Sequence, residues 1–359
     1  MESFASANIK TSALLRGRVA LAFNWYRGMV NAETGMLEYL YLPEAERFVR
    51  ENCPIRDIAS VWDAELLGEF LDRQELQPLI ANSLRHFNGY LVERDPPEAG
   101  MMLDSARLGE PPSIAHSAFM VLALLHAPPP WRRREIATLA EGILRQQRPD
   151  GSYKVYFADL PDQGEELYAG EAMLTLMEVH RQLRDARCLQ SAERGFSYYD
   201  GHYFGRGRVG DDVLVFFANW QSQACRLLFE CTASAALQRD VALYVFGMHD
   251  RIVDRGFYRD IERHPARQVS VEVACGLEGL NDAYSIARGL NDEHAERYRR
   301  CICTGLKYLL TLQCTNIGTE RERGGFGASL SERAQRIDIT GHAASALMKS
   351  VENEIECGG

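Results

Sequence analysis

Two short clusters in this chain carry the residue types that proton transfer requires. The first is Tyr168 and Glu171, three positions apart and so on one face of a helix. Glu171 precedes the apolar run Ala172–Met177, where a helix is buried. A carboxyl there needs a partner or takes a raised pKa, and a raised pKa suits a general acid. The alternative is structural: an arginine pairs with it. The second cluster is Arg336-Ile337-Asp338 with His342. Asp338 and His342 are four apart, and an aspartate beside an imidazole orients it for proton transfer. Asp338 can equally serve the first turn of a helix, with Thr340 near its cap. The expected catalytic set is Glu171, Asp338, His342 and Tyr168.

Trp62 and Trp220 offer flat aromatic faces for the apolar C–H side of a sugar ring, and Asn219 and Gln223 can read its hydroxyls. Either tryptophan can instead be core. Arg56 and Arg336 are the cations for a substrate carboxylate. Asp57, His116, Glu166 and Glu272 join the binding set, because each falls near the start of a buried helix. His116 sits in an apolar stretch and is more simply a hydrogen-bonded core histidine. Glu165 and Glu166 can simply complement a helix dipole. Glu166 or Glu171 with Asp338 or Asp57 would supply the two carboxylates of glycoside hydrolysis. An epimerase or lyase needs instead a base beside a held carboxylate, and Tyr168, His342, Arg56 and Arg336 fit those roles. No phosphate-binding glycine loop, HExxH or GxSxG occurs. No cofactor and no metal site is expected for the sugar-directed reading.

The elements that must position these residues recur. Six stretches rich in small apolar residues start near Ile58, Ser113, Leu167, Val215, Val271 and Thr340, about every 55 residues, the kind of period that marks a repeat architecture. They are apolar almost all round and so buried on every side. Between them lie one-sided helices at Ile9–Arg27, Gln77–Val92, Arg132–Gln147, Ala186–Tyr198, Ala233–Asp250 and Asp292–Leu312. Alternating dry and wet helices predict an inner ring inside an outer ring, closed as one domain over residues 1–359. Helix N-termini at one end of its cavity present free N–H groups and positive potential. Two outer helices run into similar loops, Gln146-Gln-Arg-Pro-Asp-Gly-Ser-Tyr153 and Gln313 to Gly324-Gly-Phe-Gly327. Thr34–Tyr41 suggests a degenerate third, as a short hairpin, and Glu352–Gly359 is expected to fray.

Composition narrows the partners. The net charge is −10 and the pI about 5.5, against a nucleic-acid partner. The basic run Trp131–Arg134 follows three prolines and starts a surface helix rather than a binding patch. No apolar stretch is long enough to span a membrane, and the first residues lack a signal-peptide layout, so neither a membrane span nor a secretory leader is expected. The nine cysteines are irregularly spaced with no CxxC, so they are expected as reduced thiols of a cytoplasmic protein. The expected partner is a small molecule or oligosaccharide.

The QRPDGSY and GGFG loops, each followed by a buried small-residue helix, resemble those of the all-α (α/α)6 toroid. That fold is shared by six-hairpin glycosidases, polysaccharide lyases, sugar epimerases, terpenoid cyclases, protein prenyltransferases and lanthionine synthetases. Four patches are most similar to the helical domain of glucuronyl C5-epimerase-like proteins. They are Asn52…Arg56-Asp57, Tyr168-Ala-Gly-Glu-Ala-Met-Leu174, Asn219-Trp-Gln-Ser-Gln223 and Arg336-Ile-Asp-Ile-Thr-Gly-His342. The resemblance implies a carbohydrate-active hydrolase, lyase or epimerase. The DxDD of terpenoid cyclases and the WCxG and CHG motifs of lanthionine synthetases are missing. A zinc- or cyclase-type enzyme on the same ring, with His342, Asp338 and Cys275 or Cys303 as ligands, is the second reading. A non-catalytic peptide- or protein-binding scaffold is the third.

Overall fold

The six small-residue stretches form helices buried on nearly every side, and each packs against the next until the last meets the first. A computed structural model describes residues 11–49, 53–127, 133–316 and 319–358. In chain order the elements are α1 (Thr11–Gly28), β1 (Leu40–Leu42), β2 (Arg47–Val49), α2 (Pro54–Leu71), α3 (Gln77–Asn88), β3 (Leu91–Glu93), β4 (Met101–Leu103), α4 (Ile114–His126), α5 (Arg133–Leu144), α6 (Glu165–Leu183), α7 (Ala186–Tyr198), α8 (Leu214–Cys231), α9 (Ala235–Asp254), α10 (Phe257–Arg263), α11 (Ser270–Leu290), α12 (His294–Leu312), β5 (Gln335–Arg336) and α13 (Ile337–Glu352). The inner ring runs α2, α4, α6, α8, α11, α13 and closes from α13 back onto α2. Outer helices cover its seams: α3 lies against α2 and α4, α5 against α4 and α6, α7 against α6 and α8. α9, α12 and α1 continue the pattern, α1 sealing the closure between α13 and α2. This is the (α/α)6 toroid.

Amphipathicity explains the two rings. In α4 every residue from Ile114 to Leu124 is buried. In α5 burial is confined to Ile136, Leu139, Ala140, Gly142 and Ile143, a single stripe at helical spacing. Glycines allow the closest inner approaches. A Cβ on Gly170 of α6 would lie 2.5 Å from the Trp220 Cβ, and one on Gly279 of α11 would lie 2.8 Å from the Asn219 Cα. These contacts fix α8, and with it Asn219 and Trp220, between its neighbours.

The two glutamine loops are built alike. Gln147 pairs with Tyr153, and Gln313 with Phe326, as isolated bridges. The Gln147 side chain donates to the carbonyls of Gly151 and Ser191, and that of Gln313 to those of Arg18 and Gly324. Tyr153 and Phe326 are fully buried plugs. Strands are short: a sheet ordered β2-β1-β5, all antiparallel, and the β3–β4 hairpin. In the first sheet Leu40 faces Arg336, which carries the start of α13 to the rim beside Tyr39. The Thr34–Tyr41 hairpin reduces to a Val30–Leu37 bridge leading into β1.

Three expectations are corrected. The second outer segment, Gln77–Val92, stops at Asn88, because Leu91–Glu93 pairs as a strand with Met101–Leu103 rather than continuing the helix. The C-terminal tail is held, not frayed. Cys357 is bonded to Cys303 of α12 with Cα atoms 5.5 Å apart, and its N–H donates to the Thr11 hydroxyl at 3.2 Å. That pair also departs from nine reduced thiols, leaving seven free cysteines. The Pro128–Arg132 run and Asn52 lie outside the described residues. No described helix is long and apolar enough to cross a membrane.

Packing at Gly279 gives a sign test. Alanine raises intrinsic helix propensity by about 0.5–1 kcal/mol, whereas a methyl forced against backbone costs typically 1–3 kcal/mol. Gly279→Ala is therefore expected to lower the melting temperature in a thermal unfolding experiment; an unchanged or higher value would contradict the close α8–α11 contact.

Candidate active site

The N-terminal ends of the inner helices bring charge and aromatic surface together. Cys53 is extended and Pro54 presets the first turn of α2, so Arg56 and Asp57 project from a rigid start. Arg56 donates from Nη1 to the Tyr39 hydroxyl at 2.6 Å, and its Nε lies 3.1 Å from Asp338 Oδ2. Arg336 grips Asp338 with both prongs, Nε to Oδ1 at 2.6 Å and Nη2 to Oδ2 at 2.8 Å. Two guanidinium groups therefore occupy the Asp338 carboxylate. Thr340 does not cap its helix; its hydroxyl accepts the Phe326 N–H at 3.2 Å.

Deeper in the ring, His342 of α13 meets α11. Its Nδ1 lies 2.7 Å from Glu278 Oε2. The same oxygen accepts the Asn219 amide at 3.2 Å, and Gln223 donates to Asn219 Oδ1 at 3.0 Å. Asp338 does not orient this imidazole, contrary to the sequence expectation, because its oxygens are drawn to the two arginines at the rim. Glu278 takes that place. The Cys275 sulfur, one turn before Glu278, lies within 4.8 Å of a His342 ring nitrogen. Burial opposes charge on the imidazole, but Cys275 and Glu278 outweigh it and push its pKa well above the ordinary histidine value. Burial moves the Cys275 thiol upward, against the pull of His342.

Three nearby carboxyls resist ionisation. Glu171 is buried in α6 and its Oε2 has no partner; the arginine pairing considered for it does not form. Burial pushes its pKa up to about 8, opposed by His342. Asp63 of α2 is pushed to about 7 by burial, opposed by His342 and reinforced by Glu278; the Tyr26 hydroxyl donates to it at 3.3 Å. Asp57 rises to about 7 through burial and the neighbouring Glu110, and its Oδ1 is unpartnered.

A row of rings crosses the ring of helices: Trp62 to Phe119 at 6.3 Å, Phe119 to Trp220 at 5.6 Å, and Trp220 to His342 at 5.9 Å. The buried Trp62 Nε1–H has no acceptor. At the mouth, a cavity of about 340 Å³ is lined by Cys53, Arg56, Glu110, Ser113, His116 and Tyr168. His116 is buried and held by Ser113 at 2.8 Å and Glu110 at 2.9 Å. Burial pushes the Tyr168 hydroxyl far up. A hollow of about 450 Å³ between α7 and α9, lined by Phe196, Asp200 and Tyr244, is formed by outer helices instead and carries none of the expected residues.

The structure thus brings together Arg56, Arg336 and Asp338 at the rim, and His342, Trp220, Asn219 and Gln223 with Glu278 inside. Glu166 and Glu272 are only half-buried, in the first turns of α6 and α11, and no described hydrogen bond or ion pair joins them to these groups. Asn219 and Gln223 spend their amides on each other and on Glu278. Sequence reasoning missed Glu278 and Asp63. Both are acids inside otherwise apolar inner-helix stretches, the same signal that singled out Glu171. The zinc set considered from sequence is not assembled, because Cys303 is bonded to Cys357 and Asp338 to arginines.

No family model and no curated protein sequence matches the chain. Solved structures do. A sugar epimerase from a ruminal bacterium superposes with a TM-score of 0.66 at 12% identity, covering 95% of this chain and 98% of that one. The alpha-1,6-mannanase of Salegentibacter sp. HEL1_6 gives 0.66 at 9% identity, over 94% and 99%. An unsaturated glucuronyl hydrolase specific for heparin gives 0.57 at 11%, over 94% and 97%. At these identities the likeness establishes the toroid.

Glu171 sets a pH signature. Its carboxyl is raised in the folded state, so the native protein holds the extra proton between about 4.5 and about 8. Stability therefore falls as pH rises through that window, by an order of a few kcal/mol at about 1.4 kcal/mol per pKa unit. Glu171→Gln is expected to stabilise the protein relative to wild type progressively from pH 5 to 9 in denaturant unfolding. A difference that stays flat with pH would contradict a buried neutral Glu171.

Proposed function

We propose that the chain is a carbohydrate-active enzyme that moves a proton at a sugar carbon, as an epimerase does. The observation that carries this reading is the capture of Asp338 by Arg336 and Arg56. Hydrolysis needs two available carboxylates across the scissile bond. With Asp338 engaged, the interior offers a different acid–base pair: Glu171, unpartnered and with a pKa near ambient pH, and His342, held by Glu278. A general base works best with its pKa near the operating pH.

In this reading Glu171, once ionised, takes the proton from the carbon beside a substrate carbonyl. The C–H electrons move to the carbonyl oxygen as an enolate, which the cationic Arg56 stabilises and His342 protonates. His342 then takes back the enol proton as a water molecule protonates the opposite face of that carbon, which restores the carbonyl and gives the epimer, and Glu171 returns its proton to the hydroxide left behind. Trp220 and Trp62 supply apolar faces for the ring, and the free Trp62 N–H is a donor for a hydroxyl. The reading is supported by the descriptions of toroids that superpose on this chain, among them a second epimerase, cellobiose 2-epimerase from Bacillus thermoamylovorans B4167.

The test is proton NMR of reducing disaccharides and uronic-acid oligosaccharides incubated with the protein in D2O. Loss of the proton next to the carbonyl, with signals of a new epimer, is the expected result. Glu171→Gln should lower the rate by about 100-fold or more, the usual worth of a positioned acid or base. For wild type, kcat/KM should rise with pH through about 8 as Glu171 ionises. Release of monosaccharide without epimer would favour hydrolysis, and no turnover of any sugar would contradict the reading.

A further inference from the structure

Cys275, Glu278 and His342 form a group that proton transfer alone does not require. The Cys275 sulfur, a Glu278 carboxylate oxygen and a His342 ring nitrogen all lie within 4.8 Å of one another, and among the described residues no other set of three His, Cys, Asp or Glu ligand atoms is so close. We propose that these three side chains bind a soft divalent cation, zinc above all.

The donor set points to that ion. Thiolate and imidazole together select zinc over magnesium or calcium, which take oxygen ligands. Three protein ligands with an open fourth position is the layout of exchangeable and catalytic zinc sites rather than closed structural ones. The backbone is already in place. Cys275 and Glu278 stand three apart on one face of α11, and His342 comes from α13, the next helix of the ring. Bonds of about 2.0 Å to nitrogen and oxygen and about 2.3 Å to sulfur, at the tetrahedral angle, put the nitrogen and oxygen about 3.3 Å apart and the sulfur about 3.5 Å from each. The 2.7 Å Glu278–His342 contact must open slightly and the thiol must swing in, both side-chain rotations. The second layer exists too: Asn219 donates to Glu278 and Gln223 fixes Asn219, as outer partners do for metal-ligating carboxylates. The rival possibility is a purely hydrogen-bonded trio. An occupied site would also stop proton exchange at His342 and so inhibit the reaction; that consequence alone rests on the proposed function.

The test uses the full chain stripped with a chelator and then given zinc or cobalt(II), with no sugar present. Wild type is expected to retain a single zinc per chain after desalting. Its cobalt form should show the near-ultraviolet thiolate-to-metal charge-transfer band, a readout that needs no variant. Zinc affinity should fall by about 100-fold in Cys275→Ser, at the upper end of the loss from a mere supporting residue. It should be unchanged in Cys301→Ser, which removes a free thiol elsewhere. Zinc lost on desalting wild type, cobalt bound without the charge-transfer band, or equal affinity in Cys275→Ser would each overturn the proposal. Because binding is read directly, its failure leaves the epimerase assay untouched, and the reverse.

Discussion

The closure of α13 onto both α11 and α2 is the constraint on which the site depends. Six inner helices bury themselves only if each finds a neighbour on both sides, and the last must return to the first. That requirement selects small residues at the seams. At Gly341 a Cβ would fall 2.0 Å from Asp63 Oδ2, so α13 and α2 touch with no room for a side chain. The approach places His342 against Glu278 on one side and near Asp63 on the other. An imidazole, a thiol and two carboxyls come to share a low-dielectric interior because the ring closes there. Burial of this kind is costly unless partners compensate, and compensation is uneven: Glu278 has two polar partners, His342 and Asn219, whereas one oxygen of Glu171 has none.

Much of the architecture was legible because burial leaves a periodic trace. A helix such as α4, apolar on all faces, differs from one such as α5 with a single stripe, and the alternation repeats six times. The two glutamine loops were legible because a helix stop, a tight turn and an aromatic plug each demand particular residues. What lacked a local signal were the pairings across the ring. Asp338 and His342 share a helical face in sequence, yet Arg56 from α2 and Arg336 from β5 claim the aspartate. His342 finds its partner sixty-four positions earlier, in α11. Register between α11 and α13 comes from packing, not from spacing along either helix. The Cys303–Cys357 bond was equally invisible, since nothing in irregular cysteine spacing says that a tail returns to α12.

The same geometry separates two kinds of charge. At the rim, arginines and Asp338 neutralise one another while remaining partly open to solvent, so they can be re-aimed by an anionic or polyhydroxylated ligand. Inside, Glu171 is held in a dry environment where a change of protonation is the available response, with Asp63 and the partly exposed His342 nearby. A ligand entering past Tyr39, Tyr168 and Arg56 would meet a hydrogen-bonding ring first and proton donors and acceptors last, with Trp62, Phe119 and Trp220 as the wall between.

The most direct measurement is a crystal structure of the protein soaked with a reducing disaccharide. A sugar ring seated against Trp220 or Trp62, with its reducing-end carbons within hydrogen-bond reach of Glu171 and His342, is the expected result. An interior that stays closed to sugar at saturating concentration, or a sugar bound only in the outer hollow between α7 and α9, would contradict the assignment of the ring interior as the active site.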